Sequence, residues 1–487
     1  MLVLLGFAMI AVFMVLIMTK KMTPVLALIL VPTIFGLFAG AGLGIGDMVM
    51  TSMKSMTSTA ALLMFAIIYF GTMIDVGLFD PLVRFILRKL GNDPAKVVLG
   101  TAVLAMAVSL DGDGSTTFIL TTAAMLPVYL RLKMSPVVLT CVAGLANGTM
   151  NILPWGGPTA RAASALKINV SDVFVPMVPG LLAGLVVVLV FSWSLGLMER
   201  KRLMVAEPER WGAAASYDGG TALDVADVKN GSALSKASGG RIGTRTALLQ
   251  KITPGGGSAG GSSDGSGTLA ETALDPTRET LRPKLIWFNF ALTLAIMVLL
   301  VMDVLPLPYI FMVGAGIALL VNFPHVKDQA KALVAHGQSI VAVVSMVMAA
   351  AVLTGVLNGT GMVKAMSEWL VAIIPSSMGP FMAVITGLLS IPMTFFMSND
   401  AFYFGVLPIL SETAGHYGLS AADMARASIT GQPFHMQSPL VPAILLLVSL
   451  AKVELGDHHK KVLWRAAVVS LVMLLVGILT GAIGIGH

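Results

Sequence analysis

The sequence predicts an all-α polytopic membrane protein with two inverted repeats, each of about five transmembrane helices plus one re-entrant hairpin. Three observations lead to this fold class. The 487 residues have a mean hydropathy of +0.89 and only 11% are charged, a composition that excludes soluble classes. Glycines recur after 284 residues, as Gly71 with Gly355 and Gly77 with Gly361. Basic residues collect on one side of the predicted spans.

The first repeat, residues 1–200, begins with three predicted spans. These apolar runs are residues 1–18, 24–40 and 59–74. An amphipathic stretch, Gly46–Ser58, precedes the third run, and residues 78–90 carry charges at the spacing typical of an interfacial helix. The first run lacks the basic start of a signal peptide, so we expect it to remain as a span. The last span of this repeat is predicted at 173–197.

The stretch Ser109–Thr117 places carboxylates, glycines and hydroxyls between two apolar runs. Each run holds only about 13 apolar residues, short of the roughly 20 that a helix needs to cross a bilayer. This length favours a re-entrant hairpin at 95–131 over an exposed loop between two full spans. Carboxylates at membrane depth are costly unless they are paired, protonated, metal-bound or hydrated, so they indicate a functional site.

A broken helix and a linker are predicted next. The span 136–165 is interrupted between Asn147 and Pro158 by asparagines, glycines and prolines. Residues 201–283 then change character and contain a Gly/Ser-rich tract around 255–267. This composition cannot bury a core, so we expect a flexible linker.

After the linker the pattern restarts in a second repeat, residues 284–487. A hairpin is predicted at 376–411 and a broken helix at 420–450. The tip Met397–Ala401 falls opposite Asp111–Thr117 in the first repeat. Helices broken at corresponding places in two halves are typical of the midplane binding site of a secondary transporter.

The distribution of charge predicts the orientation of the chain in the cell membrane, that is, the inner membrane. One face would collect most lysines and arginines. The other would keep little more than Lys54, Lys167 and Lys364. This split places hairpin 95–131 and the linker in the cytoplasm, and hairpin 376–411 and both termini outside. The net charge of +6 therefore reflects orientation, and we expect no nucleic-acid partner. The single cysteine, Cys141, excludes an internal disulfide.

Four ionisable residues near the breaks are candidates for proton or metal coupling. Asp111 and Asp113 lie two residues apart, close enough to share a divalent metal ion or for one to hold a proton. Asp400 is expected to carry a proton or bind a cation. His435 is either a proton carrier or ligand, or a buried structural histidine.

Eight polar residues are candidates for binding substrate. Ser115, Thr116, Ser398 and Asn399 suit recognition of a carboxylate, especially if the half-helices present their N-termini. Three amides, Asn147, Asn151 and Gln432, either contact substrate or satisfy backbone groups freed at the breaks. Arg161 suits bidentate binding of a carboxylate, although a snorkelling side chain is an equal alternative.

The sequence contains no Walker A motif and no His/Glu zinc motif. We therefore expect no enzyme activity and no permanently bound cofactor, and we expect an ion gradient to supply the energy.

Two segments in corresponding positions, Leu110–Thr117 and Ser398–Gly405, resemble the citrate–divalent metal/proton symporter family (CitMHS) of the ion transporter superfamily. The resemblance covers both repeats and excludes the linker. It implies uptake of citrate complexed with a divalent metal ion such as Mg²⁺ or Ca²⁺, or iron in some members, by proton symport.

Superfamily relatives that use sodium carry a Ser-Asn-Thr tip on each hairpin. Here carboxylates accompany the tips at Asp113 and Asp400, which fits handling of protons or metal. The resemblance also implies a homodimer in membrane lipid, with scaffold and transport domains that work as an elevator. The alternative hypothesis is a sodium-coupled di/tricarboxylate symporter or a sodium/proton antiporter on the same fold.

Overall fold

The computed structural model describes residues 1–486 except for 20, 90, 207–277, 303 and 376. Ten α-helices form its first part. They are α1 (Leu2–Met18), α2 (Pro24–Phe38), α3 (Ile45–Asp75), α4 (Asp80–Lys89), α5 (Pro94–Val108), α6 (Gly114–Arg131), α7 (Pro136–Met150), α8 (Gly157–Leu166), α9 (Val170–Phe174) and α10 (Val178–Ala206). Prolines at the first position of α2, α5 and α7 mark helix starts, where a missing N–H costs nothing.

The second part contains eleven α-helices among the described residues. They are α11 (Ile286–Met302), α12 (Leu307–Asn322), α13 (Val326–Ala335), α14 (Gly337–Gly359), α15 (Met362–Ile373), α16 (Met382–Phe396), α17 (Leu407–Gly415), α18 (Ala421–Ile429), α19 (Gln432–His435), α20 (Pro442–Leu450) and α21 (Leu455–Leu479). A π-helical segment, Ala401–Val406, precedes α17.

The protein is a multi-pass membrane protein. Within the described ranges, 7 helical segments are long and apolar enough to cross a bilayer, and four shorter apolar helices accompany them. The four are Leu2–Ile17, Pro24–Phe38, Pro136–Met150 and Leu307–Asn322.

The predicted amphipathic stretch Gly46–Ser58 and the third span form the single helix α3 of 31 residues. One polar residue of the stretch, Ser52, faces a neighbouring helix, whereas Thr51, Lys54 and Thr57 are exposed. Ser52 and Thr354 of α14 share a hydrogen bond of 2.7 Å between their hydroxyls, and Met56 is fully buried. The buried side of the stretch thus packs on α14 through a small polar residue.

The start of the predicted linker is helical. Helix α10 runs on to Ala206 through the charged cluster that follows residue 197. Glu199 is buried there and accepts hydrogen bonds from the Ser135 amide at 3.0 Å and from Arg202. Residues 278–283 lie against the end of α3, where Arg278 pairs with Asp80 at 3.0 Å. The rest of the predicted linker lies outside the described residues.

The two hairpins are each packed against a helix from the other part of the chain. Arms α5 and α6 form the first hairpin, and α16 with the π segment and α17 forms the second. Helix α6 packs on α20, whereas α17 packs on α8. This packing between the two parts of the chain brings both tips beside the breaks that separate α7 from α8 and α19 from α20.

Candidate functional site

The first hairpin tip is organised by its two aspartates. Asp111 ends a short 3₁₀ turn and its Oδ1 accepts the Asp113 amide at 2.9 Å. Between them Gly112 adopts φ +78°, a left-handed conformation that glycine allows without strain. Trp155 packs against this glycine and its indole Nε1 donates to the Leu110 carbonyl at 2.8 Å. The tip is thereby held against the break between α7 and α8.

Asp113 caps the helix that follows it. Its Oδ1 accepts the Ser115 amide at 3.0 Å, and its Oδ2 accepts the amide and the hydroxyl of Thr116 at 3.2 and 2.7 Å. An aspartate at this position satisfies backbone N–H groups and complements the helix dipole. The N-terminus of α6 therefore lies at the tip, but the Asp113 carboxylate and the Thr116 hydroxyl are already engaged there.

Asn147 of α7 lies next to this tip and is 4% exposed. Its Nδ2 donates to the Ser109 hydroxyl at 3.1 Å. Its Oδ1 is buried, has no hydrogen-bond partner among the described residues, and lies near Gly114. A buried acceptor without a donor is rare in folded proteins, and it is suited to accept from a ligand or a cation.

The second hairpin tip carries an ion pair to the other part of the chain. Asp400 follows Ser398 and Asn399, and its Oδ1 lies 2.6 Å from Nε of Arg161 in α8. The two side chains are 6% and 19% exposed. Of the two alternatives for Arg161, snorkelling and inward contact, the structure has the inward one. The Ser398 hydroxyl accepts the Ala401 amide at 3.2 Å, so a helix also starts at this tip.

Gln432 joins the second tip to the first broken helix. Its Nε2 donates to Asn399 Oδ1 at 3.2 Å and to the Tyr403 hydroxyl at 2.9 Å. Its Oε1 accepts from Asn151 Nδ2 at 3.0 Å. Asn151 follows Asn147 by one helical turn, so an amide network runs from one tip towards the other.

Helices α7 and α19 approach each other closely at Gly148. A Cβ at this position would lie 2.9 Å from Cα and 3.0 Å from O of Pro433. Glycine is required here because the neighbouring atoms are backbone and cannot move aside. This close approach brings Asn151 and Gln432 within hydrogen-bonding distance.

His435 is buried behind the second tip. Its Nδ1 shares a hydrogen bond of 2.5 Å with the Thr394 carbonyl near the end of α16, and the Ser438 hydroxyl donates to the next carbonyl, that of Phe395, at 2.5 Å. Both contacts satisfy carbonyl groups in the last turn of α16, as a buried structural histidine would.

The site thus contains three carboxylates and one guanidinium among its described side chains. No group of three or more His, Cys, Asp or Glu residues arranged to hold a metal ion occurs in the described part of the chain. Chemically, the two tips offer helix N-termini and amides for an anion, and the first tip adds two carboxylates for a cation.

Sequence reasoning did not select three residues of this site. Ser109, Trp155 and Tyr403 hold the tips in place through the hydrogen bonds given above. Trp155 and Tyr403 stand inside the interrupted segments, and an aromatic side chain with a polar atom at a break is a usable signal, since it needs a partner when buried.

Comparisons with known proteins were made on this chain. The CitMHS family, described as citrate transporter, matches residues 3–431. A protein of Bacillus subtilis (strain 168) named citrate transporter is 44% identical over 483 residues, covering 99% of this chain and all of its own. A second from the same strain, named Mg(2+)/citrate complex secondary transporter, is 42% identical over 486 residues and the whole of both chains.

The crystal structure of the YdaH transporter of Alcanivorax borkumensis matches with a TM-score of 0.43 and 13% identity, over 88% of this chain and 86% of that one.

Proposed function

The chain belongs to the CitMHS family of citrate transporters, and we propose that it imports citrate as a complex with a divalent metal ion by proton symport. It is therefore a transporter and not an enzyme. Mg²⁺ or Ca²⁺ is the proposed metal, and it is cargo rather than a resident cofactor. The name of the second relative, which includes a Mg(2+)/citrate complex, supports this substrate.

The observation that carries the proposal is the ion pair between Arg161 and Asp400. Two opposite charges removed from water are retained at membrane depth when they serve binding or coupling. Arg161 is the proposed cation for a citrate carboxylate, and its contact with Asp400 would be exchanged for that carboxylate. A proton on Asp400 would release Arg161, so that proton uptake and citrate binding occur together.

The charge of the cargo supports the metal complex over free citrate. Citrate with three ionised carboxylates keeps a single negative charge once a divalent ion is bound. Three aspartates and one guanidinium line the site, so the singly negative complex is repelled less than free citrate, which carries three negative charges. The helix N-termini and the hydroxyl of Ser115 would contact carboxylate oxygens, and Asp111 with Asn147 Oδ1 would face the metal.

We also propose an inverted-repeat transporter with scaffold and transport domains, on the strength of the glycine spacing and the matched helix breaks in the sequence. We place the linker on the cytoplasmic side of the inner membrane and both termini outside, since this arrangement puts most basic residues inside. Homodimerisation and an elevator movement come to the proposal from the resemblance to the superfamily.

Uptake of labelled citrate into proteoliposomes tests the function. With Mg²⁺ outside and an interior that is more alkaline, citrate should accumulate, and dissipation of the pH gradient should abolish this accumulation. Replacement of Na⁺ by choline should change little. A strict requirement for Na⁺ would instead support the sodium-coupled alternative.

A further inference from the structure

A basic cavity of about 340 Å³ has no residue of either hairpin tip in its lining. It opens between the start of α7 and the first turns of α21. Its lining residues are Ser135, Val137, Asp457, Lys460, Lys461 and Arg465. Three of the six are cationic and one is acidic, so the cavity carries excess positive charge.

The single acidic residue does not neutralise the cavity. Asp457 pairs with Lys460 at 3.2 Å, and the two side chains are 52% and 82% exposed. An exposed ion pair of this kind is weak. Glu199, the nearby buried carboxylate, is engaged by the Ser135 amide and by Arg202 at 2.8 Å. Lys461 and Arg465 therefore keep their charge available to a ligand.

Arg465 gives the strongest indication of a ligand. It is only 7% exposed, and its buried Nε has no hydrogen-bond partner among the described residues. One terminal nitrogen donates to the Lys461 carbonyl. The guanidinium lies 4.2 Å from the ring centre of Trp464 and 5.9 Å from that of Phe191. Aromatic faces attract the cation but do not satisfy its N–H donor, so an oxyanion acceptor is missing.

The start of α7 also borders this space. Ser135 is its N-cap residue, and Val137 in the first turn lines the cavity as well. The Ser135 amide is already bonded to the Glu199 carboxylate, so the attraction of the cavity for an anion comes from its side-chain cations.

Apolar side chains continue from the cavity along the lipid-facing side of α21. Trp464 is 52% exposed, and Leu471 and Leu475 follow it on the same helical face with 44% and 54% exposure. A tryptophan of this kind marks the boundary between headgroups and acyl chains. A ligand that fits both regions has an anionic head and hydrocarbon tails.

We propose that this cavity binds the phosphodiester headgroup of an anionic phospholipid, with Arg465 and Lys461 contacting the phosphate and the acyl chains lying along Trp464 and Leu471. Basic pockets between transmembrane helices bind such headgroups in other membrane proteins. The site is separate from the proposed citrate site, so either proposal can fail without the other.

Native mass spectrometry of the purified full-length protein with added phosphatidylglycerol or phosphatidylcholine tests the proposal. The wild type should bind phosphatidylglycerol in preference. Removal of one cation near the surface should weaken this binding about fivefold, so we expect Lys461→Gln to raise the Kd by that factor and Arg465→Gln by at least as much. The exposed Lys364→Gln is the matched control and should leave the Kd unchanged.

Lys461→Gln keeps the test decisive if the more buried Arg465→Gln does not fold. Equal binding of the two lipids, or an unchanged phosphatidylglycerol Kd in Lys461→Gln, would overturn the proposal. A third arm adds inorganic phosphate without lipid. Saturable binding of phosphate that depends on Lys461, with no preference for phosphatidylglycerol, would assign the cavity to a soluble anion and exclude the lipid.

Discussion

At the scale of single residues, the contact between Arg161 and Asp400 allows substrate binding and proton coupling to be tested in two separate mutants. Arg161→Gln removes the proposed carboxylate ligand, and loss of a charged hydrogen bond costs about 1.5–3 kcal/mol. We expect citrate with Mg²⁺ to bind roughly tenfold to a hundredfold more weakly, as measured by calorimetry. Arg84→Gln, an exposed arginine on α4, is the control and should bind as the wild type.

Asp400→Asn removes the proton acceptor and keeps the shape of the side chain. We expect proton-driven accumulation of citrate to be lost, while exchange of internal for external citrate continues, because exchange does not require the empty carrier to return. Exchange and net uptake are measured in the same proteoliposomes. Loss of both, with binding also lost, would show that Asp400 serves binding and not proton coupling.

The carboxylate of Asp113 is both a helix cap and a candidate metal ligand. Asparagine caps a helix about as well as aspartate, whereas alanine costs about 1 kcal/mol. We expect Asp113→Asn to lose less thermal stability in detergent than Asp113→Ala, because its amide oxygen still accepts from a backbone N–H group. Asp113→Asn should also weaken uptake and change the order of preference among divalent ions.

Asp93→Ala is the control for capping alone, because Asp93 accepts the Ala95 amide at the start of α5. It should lose a similar amount of stability and leave the order of divalent ions unchanged. If Asp113→Asn has wild-type affinities for citrate with Mg²⁺ and with Ca²⁺, Asp113 is not a metal ligand.

At the scale of helices, Gly148 sets the distance between the two broken helices. Gly148→Ala places a methyl group against the backbone of Pro433, and overpacking of this kind costs about 1–3 kcal/mol. We expect a lower melting temperature in detergent together with reduced citrate uptake, since the hydrogen bond between Asn151 and Gln432 depends on this approach.

Gly316→Ala is the matched change, because nothing lies within 4 Å of a Cβ at this helical position. It should be neutral or stabilising, as alanine forms helices better than glycine. A Gly148→Ala protein that melts and transports like Gly316→Ala would show that the two broken helices tolerate separation.

At the scale of the whole molecule, the proposed orientation predicts which surfaces face each side of the membrane. Lys364 and Lys460 are both exposed, and we place them outside and inside respectively. In a Cys141→Ala background, an impermeant maleimide should label Lys364→Cys in intact cells but label Lys460→Cys only after permeabilisation. Labelling of both from one side would contradict the inverted arrangement.

Local sequence patterns were enough to predict several helices and the two polar tips. Hydropathy is a local property, so apolar runs such as 1–18 and 24–40 predicted helices that the structure has as Leu2–Met18 and Pro24–Phe38. The polar tips at Asp111 and Asp400 were found in the same way, since charged residues among apolar ones are conspicuous without any knowledge of neighbours.

Only the tertiary structure decided which side chains meet. Arg161 pairs with Asp400 across 239 positions, and Asn151 with Gln432 across 281. The face that Ser52 turns towards Thr354 was equally hidden, so one continuous helix was predicted as two segments. The physical reason is that a periodic pattern shows that a helix has a polar face, but the partner of that face depends on how distant helices pack.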